Sequence, residues 1–142
     1  MKISIINGPN LNLVGVREPE IYGNRSLNDY LSEFADKFRG VDFAVFQSNH
    51  EGDIIDEIQR VGFDVDGIVI NAGGYTHTSV AIGDALRAVT APAVEVHISD
   101  INSREPYRRV SMIRDACVAV YAGFGLESYD KAVEHLINIC EQ

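Results

Sequence analysis

Five short apolar runs punctuate the chain: KISIIN (2–7), FAVFQSNH (43–50), GIVINAGGYTHTS (67–79), AVEVHIS (93–99) and ACVAVYAGFG (116–125). Each is too short and too β-branched for a helix and too continuously apolar for a half-exposed strand, which predicts buried parallel strands. Between and after them apolar residues repeat at helical spacing. Leu27, Tyr30, Leu31, Phe34, Ala35 and Phe38 form the first stripe, behind a capping Ser26 and closed by Gly40. Ile54, Ile55, Ile58 and Val61 form a second stripe, ended by Gly62. A third helix starts at a Thr78 or Ser79 cap and runs to Val89, before Ala91 and Pro92, with Gly83 inside it at a cost of about 1 kcal/mol relative to alanine. Tyr129, Ala132, Val133, Leu136, Ile137 and Cys140 share one face of the last.

The alternation of strands and helices predicts an α/β fold: a flavodoxin-like, doubly wound, five-stranded parallel sheet in order 2-1-3-4-5, in three α/β/α layers with right-handed crossovers. With 142 residues and 46% hydrophobic residues, one catalytic domain over 1–142 is expected. Two irregular stretches, Gly8 to Arg25 and Ser99 to Asp115, are long for a compact domain, and such loops are usually functional.

In such a sheet the ligand crevice lies beyond the carboxyl ends of the strands. The unusual polar residues fall there: Asn10, Asn71, His77, Glu95, His97 and Ser99, with Arg17 and Tyr22 on the loop behind the first run. Glu95 and His97, two apart in a strand, leave the same face, so the carboxylate can orient or charge the imidazole. On the residues alone, this is either an acid/base couple or a buried pair that only packs, and its place at a strand end favours the former. Gly15 and Gly23 bound a loop stiffened by Pro19, as a closing lid would be built. Within it, Arg17 could lower the pKa of Tyr22 enough to make it a base, or could simply pair with Glu18 or Glu20 beside a surface aromatic. His77 is open to two readings, substrate ligand or satisfied polar residue. Arg104, Arg108 and Arg109 cluster after the fourth strand, where one of them could meet a substrate oxygen or carboxylate, while Arg104 and Arg109 read rather as a solvated basic patch or subunit contact.

Charge narrows the partners. Twelve Lys and Arg against 21 Asp and Glu, a net charge of −9, argue against nucleic-acid binding. No apolar stretch approaches the roughly 20 residues that span a bilayer, and no signal-peptide pattern precedes the first strand, so a cytoplasmic location without membrane association is expected. Cys117 and Cys140 lack C-x-x-C spacing and read as buried structural thiols. His50, His77, His97 and His135 show no metal-ligand spacing, so no metal is predicted.

Taken in order, NGPNLNL, VREPEIYG, QSNHEG, INAGGYTHTSVA and VEVHISDINSREPYR resemble the type II 3-dehydroquinate dehydratases over nearly the whole chain. The resemblance implies anti elimination of water from 3-dehydroquinate through an enolate, giving 3-dehydroshikimate, with no metal, cofactor or Schiff base. Tyr22, activated by Arg17, would take the proton next to the ketone. Asn10 would help hold the water that stabilises the enolate, and His97, oriented by Glu95, would protonate the departing hydroxyl. Asn71, His77 and Arg108 would hold ring hydroxyls, the backbone N–H groups of Ile98 and Ser99 the carboxylate, and Asp84 would come from a neighbouring subunit of a dodecamer of four trimers. The chain departs from the family's usual pattern at Gly83, Asn102 and Met112, and Gly83 is expected to loosen its helix and the intersubunit contact.

Competing readings are excluded in part. A phosphoacceptor receiver needs an aspartate where Asn71 stands, and a flavin site needs a phosphate loop where the chain has GPNLNL. A non-catalytic module that binds a hydroxylated carboxylate would need no acid and base together. Quinate catabolism would use the same reaction as aromatic biosynthesis.

Overall fold

The computed structural model describes residues 1–16 and 25–142. Five parallel strands, β1 (Lys2–Asn7), β2 (Asp42–Gln47), β3 (Gly67–Asn71), β4 (Ala93–His97) and β5 (Ala119–Ala122), form one sheet in the order β2-β1-β3-β4-β5. This is the predicted flavodoxin-like order. Arg17, Tyr22 and the lid expected around them lie outside the described residues.

The two-residue period of the strands sorts the core into two layers. Ile3, Ile5, Val69, Val94 and Val96 pack on one face, against Leu27 and Leu31 of α1 (Leu27–Leu31), Phe34 of α2 (Phe34–Lys37) and Tyr129, Ala132, Val133 and Leu136 of α5 (Glu127–Cys140). Ile6, Ile68, Ile70 and Ala93 face the other way, onto Ile54 and Ile58 of α3 (Glu51–Val61) and Ile82 and Leu86 of α4 (Val80–Ala88). Each fully buried isoleucine contributes about 1.5–3 kcal/mol. The same alternation decides where the polar residues point: Asn7 and Asn71, paired in register, share the face of α5, whereas Glu95 and His97 share the face of Ala93.

Three expectations need correction. The first helix is two, α1 and α2, because Ser32 at the junction turns its hydroxyl back onto the Asp29 carbonyl at 2.7 Å, a local bond that competes with helix continuation. β2 is not buried on both faces. It lies at the sheet edge, with Val45 44% exposed, and β5 at the opposite edge is likewise only half-buried along its length. Nor are both thiols buried, since Cys117 is half-buried and Cys140 is exposed at the end of α5, beyond the sheet that its helix covers. The third helix begins as expected, with Ser79 Oγ accepting from Ile82 N at 3.0 Å.

Gly83 has a packing role that its sequence context did not suggest. A Cβ there would sit 2.8 Å from the Met112 carbonyl oxygen, so the glycine lets the segment after β4 lie directly on an unbroken α4.

Candidate active site

β1, β3 and β4 all end on one side of the sheet, and their following loops enclose a cavity of about 170 Å³. Of the predicted site residues, Asn10, Asn71, His77, His97, Ile98, Ser99 and Arg108 line it together. Glu95 stands one step behind, fully buried and hydrogen-bonded to His97. Asp84 does not line this chain's cavity. It is exposed on α4, with one oxygen 3.4 Å from Arg87 Nη1.

The acid/base half of the site rests on strand geometry. Because both side chains of β4 leave the same face, a carboxylate oxygen of Glu95 meets Nε2 of His97, and His97 itself is only 5% exposed. A buried charge of this kind is tolerated when it is paired and hydrogen-bonded. The contact also assigns the ring: a carboxylate only accepts, so Nε2 carries hydrogen, leaving Nδ1 as the ring nitrogen that Glu95 does not engage. Across the cavity the His77 ring lies nearly parallel to that of His97, with centroids 6.5 Å apart. Its Nδ1 sits 2.7 Å from the Val110 carbonyl oxygen, and by the same reasoning it donates there.

The other half is built from amides and guanidinium groups. Asn71 is held from two sides, its Nδ2 donating to the Tyr129 hydroxyl at 3.0 Å and its Oδ1 accepting from Gly73 N at 3.2 Å. Tyr129 in turn donates to Asn7 Oδ1 at 2.6 Å. Asn10 takes the left-handed conformation, with φ of 70°, and its backbone N–H donates to Asn49 Oδ1 at 3.0 Å. Asparagine is one of the few non-glycine residues suited to that conformation. Arg108 Nε approaches Glu105 Oε2 at 2.9 Å, and Arg104 Nη1 donates to Ser99 Oγ at 3.3 Å. Two cavity-lining arginines thus give an acidic chain a local preference for anions.

Arg104, expected in a solvated patch or subunit contact, instead lines the cavity wall, because its side chain reaches back to Ser99 Oγ. Asn7, Ser111 and Tyr129 were also missed. Asn7 carried a signal, as a polar residue ending an apolar run. Tyr129 was legible only as core, and Ser111 lay in a stretch without periodicity. Among the described residues no group of three His, Cys, Asp or Glu side chains could hold a metal ion, and no helix is long and apolar enough to cross a membrane.

A family model described as "Dehydroquinase class II" matches residues 1–137. The chain is 51% identical over 140 residues to the 3-dehydroquinate dehydratase of Prochlorococcus marinus subsp. pastoris, covering 96% of this chain and 95% of that one. It is 50% identical over 143 residues to the 3-dehydroquinate dehydratase of Caldicellulosiruptor bescii, covering 99% of both. The crystal structure of the type II dehydroquinase from Butyrivibrio crossotus superposes with a TM-score of 0.92 at 46% identity, over 96% of this chain and 97% of the other. With a family model spanning nearly its whole length and relatives at half identity, this chain belongs to the class II dehydroquinases.

Proposed function

We propose that the protein dehydrates 3-dehydroquinate to 3-dehydroshikimate by the type II route. The carbon next to the ketone loses a proton to Tyr22, the electrons are held as an enolate, and the hydroxyl β to the ketone leaves as water with a proton from His97. Arg17 lowers the cost of the tyrosinate, and Asn10 helps hold the water that stabilises the enolate. Positioned acids and bases of this kind are typically worth about 10² to 10⁴ each in rate. The observation that carries this reading is the Glu95–His97 pair, with the His97 ring forming part of the cavity wall. The roles of Tyr22 and Arg17 rest on the family resemblance.

Substrate recognition follows the same division. Asn71, His77 and Arg108 hold ring hydroxyls, while the backbone N–H groups of Ile98 and Ser99 take the carboxylate. Asp84, exposed and absent from its own cavity's lining, serves a neighbouring subunit in a dodecamer of four trimers. We place the enzyme in the cytoplasm and in the shikimate pathway of aromatic biosynthesis.

No imine is needed. The chain has three lysines, none of which lines the cavity. Lys37 is bound to Asp130, and Lys131 lies 4.6 Å over the Phe124 ring, while Lys2 begins β1. Incubation with 3-dehydroquinate and sodium borohydride is therefore expected to leave the protein's intact mass unchanged. A reduced substrate adduct on a lysine, with loss of activity, would overturn the proposed route.

A further inference from the structure

We propose that Ser111 is a positioning residue for the Glu95–His97 pair, its hydroxyl aimed at the carboxylate oxygen that His97 does not use. The inference rests on the function proposed above and adds a residue to it. Ser111 Oγ lies 3.0 Å from Glu95 Oε1, while Glu95 Oε2 engages His97 Nε2. The direction of the bond follows from its neighbours. Ser111 Oγ accepts a hydrogen bond from Ile113 N at 3.3 Å, and an ionised Glu95 can only accept, so the single serine proton points at the carboxylate. Glu95 has no exposure to water, which leaves protein groups to satisfy its oxygens. Ser111 and His97 then hold one oxygen each. This arrangement favours the ionised carboxylate and fixes one His97 proton on Nε2, which leaves Nδ1 as the nitrogen that carries the proton given to the leaving hydroxyl.

The serine is itself held firmly. On one side of it the Val110 carbonyl takes the hydrogen bond from His77 Nδ1 at 2.7 Å, and on the other Met112 N donates to the Thr76 carbonyl at 2.7 Å. Ile113 is fully buried in the core layer that α3 and α4 cover, and Gly83 admits the Met112 carbonyl. Four consecutive residues, 110–113, therefore set both His77 and Glu95, so the two histidines of the cavity are oriented by one segment.

Removing the hydroxyl should make the pair hold its shared proton more tightly, because the carboxylate loses a donor that favours its charged form. Among the described residues, the charged and titratable groups facing the pair are His77 across the cavity, Arg104 and Arg108 on its wall, and Cys117. Burial, and then the charge of Glu95, push the Cys117 thiol up to about 12, so it stays protonated through the working range.

The test compares wild type, Ser111→Ala and Ser111→Thr. In each, the kinetic constants for 3-dehydroquinate are measured across pH, and the ¹⁵N resonances of the His97 ring are titrated in the ligand-free protein. For Ser111→Ala the expected result is a kcat about tenfold lower with KM within about twofold, the loss of one hydrogen bond to a charged group. The basic limb of the rate profile and the His97 titration midpoint should both move to higher pH, and Ser111→Thr should restore both. An unchanged His97 titration and rate profile in Ser111→Ala, or a defect that Ser111→Thr fails to rescue, would overturn the proposal. The ring titration needs no turnover, so it tests the serine even if wild type leaves 3-dehydroquinate untouched, a result that would count against the proposed function instead.

Discussion

Tyr129 and Asn71, 58 residues apart in the chain, share a buried hydrogen bond in which the asparagine side-chain amide donates to the phenol oxygen at 3.0 Å. The phenol passes its own proton on to Asn7 Oδ1 at 2.6 Å, and burial holds it well above the ordinary tyrosine range, so it remains a donor. One helix residue thereby ties together the ends of two adjacent strands, β1 and β3, of which the second brings Asn71 to the cavity wall.

Tyr129→Phe keeps the ring in the core but strands one buried acceptor and one buried donor. Leaving a buried group unsatisfied costs about 1–3 kcal/mol. The variant should fold, with urea-unfolding stability lower by about 2–3 kcal/mol and a raised KM as Asn71 loses its anchor. Wild-type stability in this variant would show that the network carries no net energy.

Gly83→Ala sets two effects against each other. Alanine improves helix propensity by about 1 kcal/mol, but its Cβ would lie 2.8 Å from the Met112 carbonyl oxygen, a backbone atom with little freedom to move. Overpacking of this sort typically costs about 1–3 kcal/mol. The variant should be no more stable than wild type in denaturant melts, and its kcat should fall, because the displaced segment carries Val110 and Ser111. A more stable, fully active variant would contradict the packing role assigned to Gly83.

The two thiols should differ in reactivity. Cys140 is exposed, whereas Cys117 is half-buried with its thiol pushed up to about 12, by burial first and then by the Glu95 charge. The thiolate is the reactive form. Iodoacetamide at pH 8 should modify Cys140 readily and Cys117 only after unfolding, as peptide mass mapping would show. The sign for stability follows. With the folded-state pKa raised above the unfolded value of about 8.5, the unfolded thiol ionises first as pH rises, which draws the equilibrium toward the unfolded chain. The buried thiol's contribution to stability is in place below about 8.5 and is lost progressively as pH climbs toward 12.

Much of this architecture was legible in the sequence because burial in a parallel sheet leaves a direct trace. The runs around Ile3–Ile6, Ile68–Ile70 and Val94–Val96 are buried on both faces and apolar at nearly every position, and the polar residues that end the last two, Asn71 and His97, are legible in the sequence as crevice residues. β2 escaped that logic, since an edge strand can be as apolar in sequence as a central one. Ser111 escaped for a different reason. Its partner lies 16 residues away, and only the chain's path over α4 brings the two together. Arg104 and Arg109 look alike in sequence, yet Arg104 donates to Ser99 in the cavity wall while Arg109 Nε turns back to the Arg104 carbonyl at 2.8 Å.

In the proposed reaction a histidine held by a buried glutamate, His97, gives up a proton to a leaving hydroxyl while Tyr22 takes one from carbon. The most direct test is to add 3-dehydroquinate to the purified protein and follow the ultraviolet absorbance of the conjugated enone, with Tyr22→Phe and His97→Ala run alongside. Steady enone growth with wild type, reduced by at least about 10² in each variant, is the predicted result. Growth that persists at the wild-type rate in either variant, or none with the wild-type protein, would contradict the assignment.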